Sequence, residues 1–410
     1  MLFHLAPAAA DGRFPEIRAI EPAPGEAFVH LCRQDQLRRV ARQHFPGRVL
    51  QAVTIDPRAL SPDRLRDEDL YGHGAFPHYY GPIGAEAIRG RVALPPVDRA
   101  DVEAAEPVVR SFFPPTPLLL APRLSRRLGR EIWLKLETMT PIRTFKIRGA
   151  LTRIAAIQHP GPVITASGGN HGLAVAWAAR AMGRPATVVI PERANPRKAE
   201  AIAALGAHLV QVGTDYQAAY EHSLGLGAQL GAEHIHAYDD PYVIAGQGTV
   251  GLEIAGLNPG AIFAGIGGGG LIGGLAAFWA GHEHGPSIFG GVVRGGDSML
   301  RSREQGRIVS LDRVTTVADG LGARRPGALS FALVESGVED LLEVTDADLF
   351  RAAQLLFWEE RIVVEIAGAA GLAAALLHPD RLSERSVIVL SGANASDETL
   401  EQIARPLPRE

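Results

Sequence analysis

The sequence predicts an α/β protein built on a parallel sheet, preceded by a small α+β domain. Three observations carry this. From about residue 130 onward, short apolar runs of strand length alternate with stretches of helical period, the pattern of a parallel sheet covered by helices on both faces. One of the strands, AIFAGI, runs straight into GIGGGGLIGG, Gly265 to Gly274, a glycine-rich turn that opens an apolar helix. Residues 1 to about 97 have a different texture, dense in Pro, His and Arg, with period-2 pieces between Pro/Gly turns.

Taken in order, VLQAVTID (Val49 to Asp56) reads as a strand. GEAFVHL sets His30 at the end of an apolar pair, and AFPHYYGPIG sets His78 in a loop bounded by proline and glycine. Alone, these histidines read as packing or turn hydrogen bonding. Between Pro95 and Pro122, DRADVEAAEPVVRSFF repeats apolar residues at helical spacing behind an acidic start that suits a helix N-terminus, and PPTP stops it. TPLLLAPRLSRRLGREIWLKLE then reads as turn, helix and strand. The alternation continues with helix FKIRGALTRIAAIQ, strand PVITAS and helix NHGLAVAWAARAMG, ended by Gly183. Strand ATVVIP, helix PRKAEAIAALG, strand HLVQVG, helix DYQAAYEHSLGLGAQLG and strand AIFAGI follow. No short repeat, low-complexity tract or long linker interrupts the series.

Composition excludes several classes. At 410 residues, 46% hydrophobic and 21% charged, the chain is an ordinary globular protein of two or three domains. A formal charge of −4 gives no case for nucleic acid or an anionic membrane. Cys32 is the only cysteine, which rules out an internal disulfide and a Cys-based metal cage and fits a reducing cytoplasm. No apolar run nears the roughly 20 residues of a membrane helix, and MLFHLAPAAADGR lacks the basic start of a signal peptide.

Four strings carry candidate chemistry. TFKIRGA, Thr144 to Ala150, contains one lysine, Lys146. A buried amine loses its proton readily and becomes a nucleophile or base, although a lone FK pair is usually an ordinary surface lysine. SGGNHG, Ser167 to Gly172, stands where a strand meets a helix, and capping is the simple reading of Ser167 and Asn170. Gly267 to Gly270 and Leu271 form a loop whose amides can close on a phosphate at a helix start. A structural turn and a dinucleotide fingerprint compete with that reading, and no acidic ribose partner is evident about 20 residues on. SGAN, Ser391 to Asn394, puts a hydroxyl late in the chain, where turn capping is the plain alternative.

With these strings in order, residues 97–410 resemble the threonine/serine dehydratase family, the tryptophan-synthase-like fold type II of pyridoxal-phosphate enzymes. Such a domain begins at the helix after residue 97, which divides the chain into domains 1–97 and 98–410. The resemblance implies a two-lobed parallel-sheet fold and pyridoxal 5'-phosphate as cofactor. Lys146 would be the Schiff-base lysine, with Phe145 packed by the cofactor ring. Asn170 would bond the ring hydroxyl, and Gly267, Gly268, Gly269, Gly270 and Leu271 would cradle the phosphate. Ser391 would face the pyridine nitrogen. Ser167, Gly168 and His171 would hold the substrate carboxylate. Glu365, in VVEIAGAAG, matches the family string VVExxGA and would border the pocket, and Tyr238 to Ile254 and Ala318 to Gly327 match loops that shape the site. The family's common glycine-serine before the phenylalanine is replaced by Arg143-Thr144, which puts a cation near the entrance and leaves the substrate open. Relatives that bind a divalent cation carry an acid where Val293 and Arg294 stand, so no metal site is expected. His234-His236 and His282-His284 read as surface histidines. Because SGAN lies close to the last residue, no C-terminal regulatory domain like that of the biosynthetic dehydratases is expected.

The first 97 residues resemble domain-of-unknown-function family 952 through His4-Leu5, Phe28-Val29-His30, Ile55-Asp56-Pro57, Glu68 and Phe76-Pro77-His78-Tyr79-Tyr80-Gly81. That resemblance implies an ADP-ribosyltransferase-like, NAD-binding fold with His30, His78 and Tyr80 in its pocket. The whole is expected to be a cytoplasmic ammonia-lyase for L-threonine or L-serine, a homo-oligomer (dimer or tetramer) with a small-molecule amino-acid substrate and no nucleic-acid or membrane partner. The alternatives are a related lyase or racemase for another hydroxylated amino acid, a bifunctional protein with an NAD- or nucleotide-binding first domain, or a non-catalytic cofactor binder. Poor racemisation is expected, because serine-racemase relatives carry a serine where Gly168 stands.

Overall fold

The computed structural model describes residues 1–45, 48–70, 75–192, 194, 196–214 and 216–406. The chain divides into two compact units, Met1–Pro96 and Val97–Glu410. Among the described residues no helix is long and apolar enough to cross a membrane.

The first unit runs β1 (Leu2–Pro7), β2 (Val29–His30), α1 (Leu37–His44), β3 (Leu50–Ile55), β4 (Leu65–Glu68), β5 (Phe76–Tyr79) and β6 (Ile88–Leu94). Two antiparallel three-stranded sheets result, ordered β1-β3-β6 and β2-β5-β4. Their apolar faces meet in a core that includes Leu2, Val29, Val53, Ile55, Tyr79 and Ile83. His78 therefore lies in a central strand, not in a loop. Pro77 misleads because proline argues against a central strand. Here its carbonyl still takes part, accepting from Leu31 N at 3.0 Å.

The second unit opens with α2 (Arg99–Arg110), started by a reciprocal capping box between Asp98 and Asp101. The stretch read as a plain turn holds a short strand, β7 (Leu118–Leu120), antiparallel to β8 (Glu131–Leu136). Prolines at both ends hide it in the sequence. Between them α3 (Pro122–Leu128) stops at Gly129, which takes the left-handed conformation.

After α4 (Lys146–Ala155) the chain builds a small lobe. It runs β9 (Val163–Ala166), α5 (Asn170–Ala181), β10 (Ala186–Ile190), α6 (Pro196–Ala204), β11 (His208–Gln211), α7 (Tyr216–Leu230) and β12 (Glu233–His234). Asp215, where the sequence starts α7, lies outside the described residues. The chain then returns through α8 (Pro241–Ile254), β13 (Ala261–Ile266), α9 (Gly270–Trp279), β14 (Ser287–Val293), β15 (Asp340–Val344) and β16 (Arg385–Leu390). The small lobe's sheet is parallel, ordered β11-β10-β9-β12. The large lobe's sheet, ordered β15-β14-β13-β16-β8-β7, is parallel except for its β7 edge. Strands with both faces covered read as unbroken apolar runs, which is why ATVVI and AIFAGI are buried almost throughout.

This topology assembles the site. In the large sheet β13, β16 and β8 are neighbours. Their carboxyl ends lead respectively to the glycine loop, to Ser391 and to the segment carrying Lys146. The carboxyl end of β9 leads to Asn170. Parallel α/β sheets bind ligands beyond the carboxyl ends of their strands.

Candidate active site

Lys146 is the first residue of α4, and its amine donates to the Ala237 carbonyl at 2.9 Å. Burial pulls that amine down to about 8, with only the Glu365 carboxyl working against it. Phe145 is half-buried beside it, its ring centroid 5.1 Å from Lys146 Nζ. The turn before the lysine is bolted to the late loop. Phe145 N donates to the Ser391 carbonyl at 3.0 Å, and Thr144 Oγ1 donates to the same oxygen at 3.3 Å. Arg143 takes a left-handed φ of 60°, held by Ala393 N donating to its carbonyl at 2.9 Å. Its side chain is exposed.

Asn170 does not cap its helix. Its Nδ2 donates to Glu365 Oε1 at 2.7 Å, while Asn394 Nδ2 donates to its Oδ1 at 2.9 Å and to the Ile142 carbonyl at 3.0 Å. Asn394 thereby fixes which end of the Asn170 amide is donor and which is acceptor, and one Asn170 N–H is left over for a ligand. Glu365 is half-buried, and loss of solvent pushes its carboxyl above the usual range. Ser167 Oγ accepts from Gly169 N at 3.2 Å. His171 is buried with Nε2 at 3.0 Å from the Ile235 carbonyl, so Nε2 carries the proton and Nδ1 is a lone pair with no partner among the described residues. Burial and the nearby Lys146 amine hold this ring at about 3, neutral at physiological pH.

The glycine loop needs its glycines where other chain comes close. A Cβ on Gly268 would lie 2.4 Å from the Tyr238 ring, and Gly269 has φ of 95°. The first amides of α9 have no partner inside the helix and point outward at this loop. Leu271 is buried behind them. Ser391 is 7% exposed, and its hydroxyl makes no hydrogen bond among the described residues.

Behind Lys146 lies a polar network that sequence reasoning missed. Arg148 is fully buried and bonds Glu137 at 2.7 and 2.8 Å and Glu253 at 2.8 and 2.9 Å. Lys135 Nζ reaches Glu253 at 2.5 Å and the Thr116 carbonyl at 2.6 Å. Arg148 and Lys135 overcome burial to hold the Glu253 carboxyl at about 2. The network clamps α4 to β8 and α8. A buried charge needs a buried partner, so Arg148 inside an apolar helix was the available signal.

His234 and His236 are not surface histidines. Both rings pack edge-on to Tyr220, His234 Nε2 lies 3.0 Å from Ser223 Oγ, and His236 Nδ1 accepts from Asp239 N at 2.8 Å. Apolar Ile235 between them is fully buried, and both histidines are half-buried. Arg294 pairs with Glu343. In the first unit, His30, His78 and Tyr80 do come together around Phe28.

Comparison with known proteins gives two family matches. Residues 109–392 match the model described as pyridoxal-phosphate dependent enzyme, and residues 7–90 match one described as a protein of unknown function, DUF952. An L-threonine ammonia-lyase of Thermotoga maritima is 34% identical over 308 residues, 74% of this chain and 77% of that protein. An L-threo-3-hydroxyaspartate ammonia-lyase of Saccharomyces cerevisiae is 36% identical over 306 residues, 72% of this chain and 92% of that one. Among solved structures, maize serine racemase superposes with a TM-score of 0.71 at 32% identity, covering 75% of this chain and 96% of that one. The processed form of threonine deaminase isoform 2 from Solanum lycopersicum superposes with a TM-score of 0.70 at 33% identity, covering 74% of this chain and 91% of that one.

Proposed function

The chain belongs to the pyridoxal-phosphate-dependent enzymes, and from that premise we propose that residues 98–410 form an ammonia-lyase. It converts a β-hydroxy amino acid, L-threonine or L-serine, to a 2-oxo acid and ammonia. The relatives named for threonine support the substrate class. The observation that carries the reading is the Lys146 amine, brought down to about 8 by burial, together with a glycine loop whose helix start no side chain caps.

The residues fit pyridoxal phosphate. An amine titrating at about 8 suits an aldehyde partner. The free amides of α9 suit a phosphate. The unbonded Ser391 hydroxyl suits a pyridine nitrogen, and the spare Asn170 N–H suits a ring oxygen. When bound, the cofactor supplies the electron sink that makes the substrate Cα–H acidic.

The chain's own groups then have defined tasks. Gly267 to Leu271 hold the phosphate, and Phe145 packs against the ring. Ser391 meets the ring nitrogen without a charge, which moderates the sink and suits elimination. Ser167 and the amides of Gly168 and His171 hold the substrate carboxylate at the start of α5. Lys146, as free base, takes the Cα proton. The β-hydroxyl leaves as water, and the released enamine hydrolyses to 2-oxo acid and ammonia. The protein is proposed to work in the cytoplasm, which its single buried cysteine suits, as a homo-oligomer.

A second reading is a substrate with another carboxylate, such as a hydroxyaspartate. The exposed Arg143, close before Lys146, favours it, as does the yeast relative. A panel of threonine, serine and the 3-hydroxyaspartates, scored for ammonia and 2-oxo acid, tests both. Turnover of threonine or serine is expected. Turnover confined to hydroxyaspartate selects the second reading, and no product from any of them refutes the lyase.

A further inference from the structure

Strand pairing in the first unit collects a set of reactive side chains on one face of the β2-β5-β4 sheet. His30 lies directly across from His78, and His78 directly across from Arg66. Side chains alternate faces along a strand. Phe28, Tyr80 and Glu68, each two residues from one of these, therefore share the face. Val29 and Tyr79 point the other way, into the core.

The face is organised. The Phe28 ring meets those of His30, His78 and Tyr80 at 4.9, 4.6 and 5.3 Å. Tyr80 donates its hydroxyl to Glu68 Oε2 at 2.9 Å. Glu26 lies 3.0 Å from His30 Nε2. The Arg66 guanidinium sits 4.7 Å over the Tyr80 ring and has no ion-pair partner among the described residues. His78 is the anomaly. It is 2% exposed, yet its Nδ1 has no hydrogen-bond partner among the described residues, and Glu68 Oε2 is 3.7 Å away. Native proteins seldom leave a buried ring nitrogen unpaired unless a water or ligand uses it. Burial and the neighbouring His30 hold this imidazole below its ordinary value, so it is a neutral base at physiological pH.

Two groups 3.7 Å apart can both reach a single oxygen seated to one side of the pair. A water there would be poised for attack, with an imidazole to take its proton. Arg66 offers the planar fork that binds carboxylates. The Phe28 and Tyr80 rings, in contact at 5.3 Å, give this face a flat apolar edge suited to a small planar molecule. The lyase of the same chain releases a species of that shape, because the enamine it liberates tautomerises to a 2-imino carboxylate.

We propose that the first unit hydrolyses 2-imino carboxylates, with His78 and Glu68 holding the attacking water and Arg66 holding the carboxylate. The identity of the substrate rests on the lyase reading of residues 98–410. Water oxygen bonds to the imine carbon, the C=N π pair moves to nitrogen, and His78 carries a water proton to that nitrogen. The resulting carbinolamine loses its hydroxyl proton to His78 and its C–N bond breaks. His78 passes the proton to the departing nitrogen. One water and one imino acid become one 2-oxo acid and one ammonia, with no change of oxidation state.

The test supplies the imine independently of the lyase. An amino-acid oxidase with catalase converts 2-aminobutyrate, which has no β-hydroxyl to eliminate, to its imino acid, and semicarbazide traps whatever is not hydrolysed. The full-length chain is expected to hydrolyse the imine about 100-fold faster than buffer and to suppress trapping. Arg66→Gln and Glu68→Gln, both at accessible positions, should each lose about tenfold, with His78→Gln lower still. Trapping that is unchanged by the chain overturns the proposal, as does wild-type hydrolysis by Arg66→Gln and Glu68→Gln together. Threonine turnover with imine hydrolysis at the buffer rate sinks this proposal alone. Imine hydrolysis without turnover of any hydroxy amino acid sinks the lyase reading and keeps the hydrolase.

Discussion

Two lysines on either side of the same turn meet different charges. Lys135 on β8 is fully buried, with Glu253 at 2.5 Å and Glu137 close by. Lys146 meets a backbone carbonyl and no carboxylate oxygen within ion-pair distance among the described residues. Burial lowers the pKa of both amines, but two carboxylates resist the shift at Lys135 and one at Lys146. That one, Glu365, is itself pushed toward its neutral form by burial. Burial alone therefore does not make a nucleophile. Burial without a counter-charge does.

The largest expected effect separates the two. Lys146→Ala should abolish turnover and the visible absorbance of bound cofactor while the thermal midpoint hardly moves. Lys135→Met should do the reverse, leaving Glu253 short of a partner and costing about 3–5 kcal/mol in denaturant unfolding. A stable Lys135→Met chain, or an unfolded Lys146→Ala chain, would break the comparison.

A smaller effect is expected at Asn394, which orients Asn170 from a distance. Asn394→Ala should lower kcat about 10- to 100-fold and shift the cofactor band, with KM little changed. Unaltered spectra would show that Asn170 needs no such support. Smaller again is the leak to racemisation. Gly168 has no side chain to deliver a proton to the face opposite Lys146, so chiral analysis of L-serine during turnover should find D-serine forming far more slowly than pyruvate. Equal rates would reveal a second proton donor.

The mildest test is pH. Capture of cofactor by the apo chain requires neutral Lys146, so its rate should rise about tenfold per pH unit below about 8 and level above it. The same shift affects stability. The unfolded amine keeps its proton up to about 10.5, whereas the folded one releases it near 8. The penalty is complete below 8 and fades as pH rises toward 10.5, so this group makes the apo chain more stable across that window. A flat capture profile would mean that Lys146 is ion-paired like Lys135.

Much of this site is legible in the sequence because its parts are local strings. Lys146, the tetraglycine run and Ser391 each follow a strand, and the alternation that names those strands survives single-residue noise. The contacts that set the chemistry are not local. Asn170 reaches Glu365 across 195 residues and Asn394 across 224. Arg148 meets Glu253 across 105 residues. No periodicity reports such pairs. Elsewhere local rules were overruled: Pro77 sits in a central strand, and Tyr220 packs against two histidines that read as surface residues.

The chain contains three lysines, and that makes the central claim directly measurable. Lys135 is paired with Glu253, and Lys198 with Asp319 at 3.1 Å. Borohydride treatment of the holoenzyme, which fixes the cofactor to the lysine that holds it, followed by peptide mass mapping, reads out the choice. The added mass should fall on Lys146 alone. Label on Lys135 or Lys198, or no label on a chain that still releases ammonia from threonine, would contradict the account.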